Sequence, residues 1–417
     1  MTALKTLVVT ALLLPTLALA SGYAVPDMTP RDLGMADSLV AAQRDAAATM
    51  KNPAALAKLE GINLSLAIAA LNSDNSWVAP NNFATNSTLF RPTPPYAVYA
   101  AYGSTFKDHR WGVGLGSTVA FGGNQYWPNG WGNLPGFPSA GSYQVLTVDR
   151  RIYGIYLTGG VEILPWLRIG GGPIWYRTTE YLKQATSYQP ISATPGIAEI
   201  GAAGDMFTYD VSAEVDIPKL PLTLGIDYKS QAVMTLKGNA NFTNVPTILE
   251  PTLANQEATH PLTLPNQFNV GIAYRPLKEW LFTFTYTLDR WVVYKADVFT
   301  GTFGSPPLVI TVPRHYANAN LYRFGTEWQA LPKLELRFGF HHDSSGYNAK
   351  TLSPSLPDAP NWVVAGGASW AFTPTLSLTG AYYHAFYATV TAQGPDAFPG
   401  SYTPRADILS LGVTWKL

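Results

Sequence analysis

Residues 334–341 read Leu334-Glu335-Leu336-Arg337-Phe338-Gly339-Phe340-His341. Large apolar side chains take every second position, with Glu335, Arg337 and His341 between them. Successive side chains of a strand point to opposite faces, so this text specifies a strand with one apolar and one charged side. The pattern recurs. Phe207, Tyr209 and Val211 alternate with Thr208, Asp210 and Ser212. Leu222, Leu224, Ile226 and Tyr228 alternate with Thr223, Gly225, Asp227 and Lys229. Phe268, Val270, Ile272 and Tyr274 alternate with Asn269, Gly271, Ala273 and Arg275, and Tyr322, Phe324 and Trp328 with Arg323, Gly325 and Glu327. Either the apolar side faces a second sheet in a soluble sandwich or propeller, or it faces lipid in a membrane barrel.

Composition favours lipid. The chain has 417 residues, and Asp, Glu, Lys and Arg together make up 13%. That is about half the usual share of roughly 25% and leaves few charges to coat a water-facing exterior. Lys+Arg and Asp+Glu number 27 each, so a nucleic-acid partner is not expected. With no Cys, disulfides, thiolate metal sites and Cys nucleophiles are excluded.

Residues 1–20 read as an export signal: Lys5, an apolar core from Leu7 to Leu19, and Ala18-Leu19-Ala20 before Ser21. No later run approaches the ~20 apolar residues of a membrane helix, so any spanning structure must be a barrel. Residues 21–61 are the one helical part. Thr29-Pro30-Arg31-Asp32 predicts a helix start, and the Ala-rich stretch 44–61 a further helix, with Asn52 as N-cap, Pro53 in the first turn and Gly61 past the end. Such a thin segment suits a confined space and is expected to plug the barrel formed by 62–417.

Short Pro-containing turns alternate with long loops rich in Asn, Gly, Pro and Ser, the asymmetry of an outer-membrane barrel. Strand counting gives about fourteen, an even number. The expected spans include 62–71, 110–122, 143–162, 206–217, 221–238, 264–275, 280–299 and 405–417. Trp166, Trp280, Trp328, Trp370 and Trp415 fall near strand ends, where an interfacial girdle belongs. The last strand ends on Leu417.

Further motifs resemble the FadL/TodX family of outer-membrane transporters for hydrophobic compounds. They are Gly34-Met35-Ala36-Asp37, Asp45-Ala46-Ala47 and Asn52-Pro53-Ala54-Ala55-Leu56, then 264–276, 288–291, 322–340 and 352–359. The resemblance implies a monomeric fourteen-stranded barrel with an N-terminal hatch. It implies passive uptake of long-chain fatty acids or related hydrocarbons: capture by extracellular loops, binding in the lumen, hatch movement and sideways release at a kinked third strand. Asn52, Pro53 and Ala54 become the hatch motif. Gly112, Gly114 and Gly116 become kink candidates, or residues packed closely against the hatch. One departure is that Pro357-Asp358-Ala359-Pro360 leads to Asn361, where the family often has an Arg.

Trp127, Trp131, Phe137 and Tyr143 suit a capture groove or interfacial anchoring. Arg151, Arg323 and Arg337 are expected to face inward, to pair with lumen carboxylates or with a ligand. Outer-membrane lipid and the barrel-assembly machinery are the other expected partners. No G-x-S-x-G, P-loop or H-E-x-x-H motif is present, and no cofactor, metal or catalytic residue is expected. His341-His342-Asp343 is a poor metal motif, because neighbours on a strand face opposite ways. A lipid hydrolase and a water-filled porin are the alternatives.

Overall fold

A computed structural model describes residues 22–89, 93–302 and 307–417. The expected export signal lies outside these residues. Fourteen long strands run antiparallel: β1 Gly61–Val78, β2 Tyr96–Phe106, β3 His109–Tyr126, β4 Thr147–Leu164, β5 Leu167–Thr186, β6 Gly196–Asp216 and β7 Leu222–Lys229. The second half comprises β8 Gln267–Leu277, β9 Trp280–Asp289, β10 Ala319–Leu331, β11 Leu334–Asp343, β12 Asn361–Ala371, β13 Leu376–Tyr387 and β14 Ser401–Lys416. Each pairs with its neighbours in the chain. β1 pairs with β14 from Asn63↔Lys416 to Val78↔Ser401, which closes the barrel. Closure pairs the first strand with the last, as a spanning sheet requires.

The alternation fixes which side is which. Phe207 is 70% exposed, and Leu157, Phe338 and Leu411 each expose more than half their surface on the outer wall. Asp210, Glu214 and Asp227, on the other face, are at most 1% exposed. All strands among the described residues belong to one sheet, so no second sheet among them covers the apolar face. Lipid is the environment that suits it, and the sandwich reading falls. No helix among the described residues is long and apolar enough to cross a membrane.

The expected spans need correction in two directions. β1 continues past 71 to Val78, β6 begins at Gly196 and β14 at Ser401. In these added lengths the strict alternation of large apolar and polar residues fades. Conversely, 221–238 and 280–299 are each broken. Strand Ala232–Thr243 follows β7 after a break at Ser230-Gln231, and pairs with β6 and with Gln256–Leu264. Beyond β9, a turn at Trp291–Val293 precedes strand Ala296–Gly301, which pairs with Val309–Pro313. The interrupted continuations form an extension on the long-loop side. Tyr143, expected in a strand, ends the short 3-10 helix Ala140–Tyr143.

Inside the barrel lie helix α1 (Pro30–Gly34), helix α2 (Ala48–Lys51) and a 3-10 helix (Pro53–Lys58). The stretch 44–61 is therefore not one helix. Pro53 disfavours a helical conformation at the residue before it. Asn52 is accordingly extended, at φ −162° and ψ 92°, and its side chain accepts the Ala54 N–H at 3.2 Å. Gly61 is not a helix cap. It opens β1 at φ +63°, and a Cβ there would lie 2.3 Å from the Leu417 carbonyl oxygen.

Gly112, Gly114 and Gly116 do not kink β3, whose pairing with β2 and β4 runs unbroken through them. They face the lumen: added Cβ atoms would come 2.3 Å from the Leu56 carbonyl oxygen, 2.1 Å from Thr49 Oγ1 and 2.1 Å from the Tyr99 ring. The register shift in β3 lies higher, between Val119 and Phe121. Gly112→Val should thus lift the lumenal segment from the wall, at a cost of about 1–3 kcal/mol. Thermal unfolding of the purified variant should shift downward; an unchanged midpoint would contradict this close approach.

Candidate functional site

The lumenal segment is tied to the wall by charge. Glu327 on β10 accepts from Arg31 Nε at 3.0 Å and from Arg337 Nε at 2.7 Å, with Arg44 Nη2 at 3.3 Å. Arg44 also reaches Glu335 at 2.7 Å, and Lys58 pairs with Glu214 and Asp216. Arg337 therefore belongs to this belt and to Ser369, away from the cavities. Asn52 donates to the Val40 carbonyl at 2.7 Å, and Ala54 N–H donates to Ser212 Oγ at 3.0 Å. Gly160 and Gly170 let Pro53 and Ala54 sit directly on the wall: added Cβ atoms would approach their backbone to 2.3 Å. The Asn52-Pro53-Ala54 triplet is thus a docking corner between wall and segment.

Over this floor is a cavity of about 510 Å³. Tyr23, Phe121, Tyr156 and Tyr176 supply rings to its lining, and Lys51, Lys229, Arg323 and His341 supply polar groups. Arg323 lines it as expected. Arg151 is half-buried near its edge, held by Asp149 at 2.7 Å and Thr93 at 2.7 Å. The deeply buried neighbour is Arg150, which the D-R-R text at 149–151 did not single out because strand phase is ambiguous in a charged run.

A second cavity, of about 220 Å³, lies among the loops and extension strands. Tyr143, Val148, Leu182, Phe242, Phe299 and Ile310 are among its lining residues. Tyr23, Gly123, Arg150 and Leu356 line both cavities and so form the partition. Trp127 and Trp131 line neither. They are buried and stacked at 4.2 Å, with Trp131 edge-on to Trp77, in a core that stiffens the loops. Phe137 is 53% exposed and lies 5.9 Å from the Tyr143 ring.

The partition rests on a buried ion cluster that sequence reading missed, since its members come from distant strands. Arg150 bonds Glu180 at 2.5 Å and approaches Asp297 at 3.3 Å. Arg314 holds Asp297 at 2.7 Å. His260 bridges the two carboxylates, Nδ1 to Glu180 at 2.8 Å and Nε2 to Asp297 at 3.1 Å. Burial pulls the His260 pKa down, but Glu180 and Asp297 outweigh it and hold it above the ordinary 6.5. His260 stands on the extension strand Gln256–Leu264, beyond the membrane-spanning wall.

Among the described residues, the wall is interrupted beside the upper part of β3. β2–β3 pairing stops at Ala97↔Thr118, while β3 continues to Tyr126. Backbone 23–25 fills part of the vacated edge: Val25 N–H donates to the Ala120 carbonyl at 3.1 Å, and Gly122 N–H to the Tyr23 carbonyl at 2.9 Å. Gly22 N–H is held by Asp358 at 2.8 Å. Thr93, Pro94, Pro95 and Tyr96, beside this gap, also line the larger cavity.

Two outcomes follow. Glu327→Gln leaves three guanidinium groups around a neutral amide, and removing one partner of a buried pair costs about 3–5 kcal/mol. Thermal denaturation should show a clear loss of stability, and planar-bilayer recordings more ion leakage than wild type. For His260, the raised pKa means its stabilisation is complete below 6.5 and is lost as pH climbs through the higher folded value. The melting temperature should fall over that rise, and His260→Gln should flatten the dependence.

The model of the family described as outer membrane protein transport protein (OMPP1/FadL/TodX) matches residues 11–416. Among solved structures, a Pseudomonas aeruginosa FadL homologue superposes with a TM-score of 0.80 at 17% identity, covering 95% of this chain and 100% of that one. The P. putida toluene transporter TodX superposes with a TM-score of 0.72 at 12% identity, covering 96% and 99%. The CymD monoaromatic hydrocarbon channel gives 0.69 at 16% identity, covering 95% and 98%. A search of curated protein sequences finds no significant match. With the family model spanning nearly the whole chain and the same closed barrel in its structural neighbours, this outer-membrane β-barrel belongs to the OMPP1/FadL/TodX transport family.

Proposed function

We propose that the chain passes small hydrophobic molecules across the outer membrane without energy input, in three stages. The loop cavity captures the molecule, the larger cavity holds it above the lumenal segment, and the molecule leaves sideways into the membrane beside β3. In this reading residues 1–20 are removed on export, residues 21–61 are a plug and 62–417 the channel wall. Asn52, Pro53 and Ala54 anchor the plug, and Gly112, Gly114 and Gly116 make room for it. The relatives named for toluene or monoaromatic hydrocarbons support a hydrophobic cargo, as does the family model.

The observation that carries the route is the gap. The larger cavity is bounded there by the strap 22–25 and by 93–96, where a β2–β3 ladder would otherwise stand. The plug itself is held by several buried ion pairs and has much more to lose by moving. Movement is therefore assigned to the strap alone. A water-filled porin fits poorly with a lumen occupied by α1, α2 and the 3-10 helix.

The chain has no Cys, which makes the test clean. Ala24 and Phe121 face each other as an isolated β-bridge. A protein with Ala24→Cys and Phe121→Cys, oxidised in proteoliposomes, should lose uptake of a hydrophobic tracer, and reduction should restore it. Equal uptake with the strap locked would refute sideways release.

A further inference from the structure

The larger cavity is chemically selective in a way the transport reading alone does not require. Each buried or half-buried cation on its lining already has a carboxylate, Arg151 on Asp149 included. Lys51 is on Asp37, Lys229 is 2.6 Å from Asp227 and 3.4 Å from Asp210, and Arg323 is 3.7 Å from Asp37. Arg150 is on Glu180 and Asp297. Arg405 also lines the cavity but is exposed to solvent. Three buried carboxylates, Asp27, Asp289 and Asp358, line it as well. Their hydrogen-bond partners are neutral: Tyr99 and Thr29 for Asp27, Gln267 for Asp289, and Ser345, Gly22 and Ala359 for Asp358. No cation stands within ion-pair distance of them among the described residues. An entering carboxylate would find no unmatched buried cation and would face these acids in a weakly screened space.

A bare hydrocarbon is also an imperfect occupant. Arg323 and His341 are direct cross-strand partners on β10 and β11, and both line the cavity. His341 is 5% exposed, yet neither of its ring nitrogens has a hydrogen-bond partner, and neither has Arg323 Nε. Buried polar groups normally find partners, so these neighbouring orphans point to a guest that supplies one. A hydroxyl both donates and accepts, and can meet a guanidinium N–H and an imidazole nitrogen together.

We infer that the preferred cargo is an uncharged hydrophobe carrying one hydrogen-bonding oxygen, an alcohol or phenol, with that oxygen held at His341 and Arg323 and the apolar body against Tyr23, Phe121, Tyr156 and Tyr176. This rests on the transport reading above and narrows its cargo to one chemical class.

Binding of radiolabelled 1-decanol, decane and decanoate to the full protein in nanodiscs, at alkaline pH and with empty nanodiscs subtracted, tests it. The alcohol should bind at least tenfold more tightly than either of the others. His341→Phe should abolish the preference for 1-decanol over decane, while His341→Gln retains it. Decanoate or decane binding as tightly as 1-decanol in the wild-type protein overturns the assignment even if no variant folds, and so does an alcohol preference that survives His341→Phe. Failure of all three to bind overturns it together with the transport reading; a preference for decanoate overturns the cargo class alone.

Discussion

Glu327 is the group on which the interior depends. It is 3% exposed, it sits on the wall, and Arg31, Arg44 and Arg337 converge on it. A buried carboxylate is tolerated only with partners, and here two of the three come from the lumenal segment. Wall and segment therefore specify each other. Without the segment, Glu327 would lose Arg31 and Arg44, Glu214 would lose Lys58, and Arg323 would lose Asp37. The Ala- and Gly-rich text of both partners serves the same end. It brings backbone against backbone, as at Gly160 with Pro53, so that these long charged side chains can reach across.

Much of this was legible in sequence because a strand's period is two and a membrane accepts only one side. The text at 334–341 gives orientation as well as secondary structure: Phe338 outward at 52% exposure, Arg337 inward at 6%. Asn52 as N-cap and Pro53 in the first turn were legible by local rules, whereas their docking on the wall was not. Legibility fails where both faces meet water. Asn72 to Ser76 looked like loop and is strand, because ladder hydrogen bonds need no alternation. It fails again where several strands converge on one cluster. His260, Glu180, Asp297, Arg150 and Arg314 lie far apart in the chain, and no spacing rule brings them together. Trp127 and Trp131 were placed in the right region with the wrong exposure, since an aromatic run reads alike whether it makes a groove or a core.

Relative costs decide which part of the interior can move. The strap is held near β3 by two ladder bonds and by the Asp358 contact to Gly22. Each such hydrogen bond contributes about 0.5–1.5 kcal/mol net, so opening costs a few kcal/mol plus the burial of Tyr23. Withdrawing the floor would break the Glu327 and Glu214 pairs and the Arg323–Asp37 contact together, at about 3–5 kcal/mol for each buried pair left uncompensated. On these costs the strap is the cheaper of the two to open. In the proposed route, sideways release would use this cheaper boundary and leave the ion-paired floor in place. Tyr23 is placed to couple the two steps. It partitions the cavities and sits on the strap, under Arg150 and against Trp291, so displacing it widens the path from above while loosening the edge at β3.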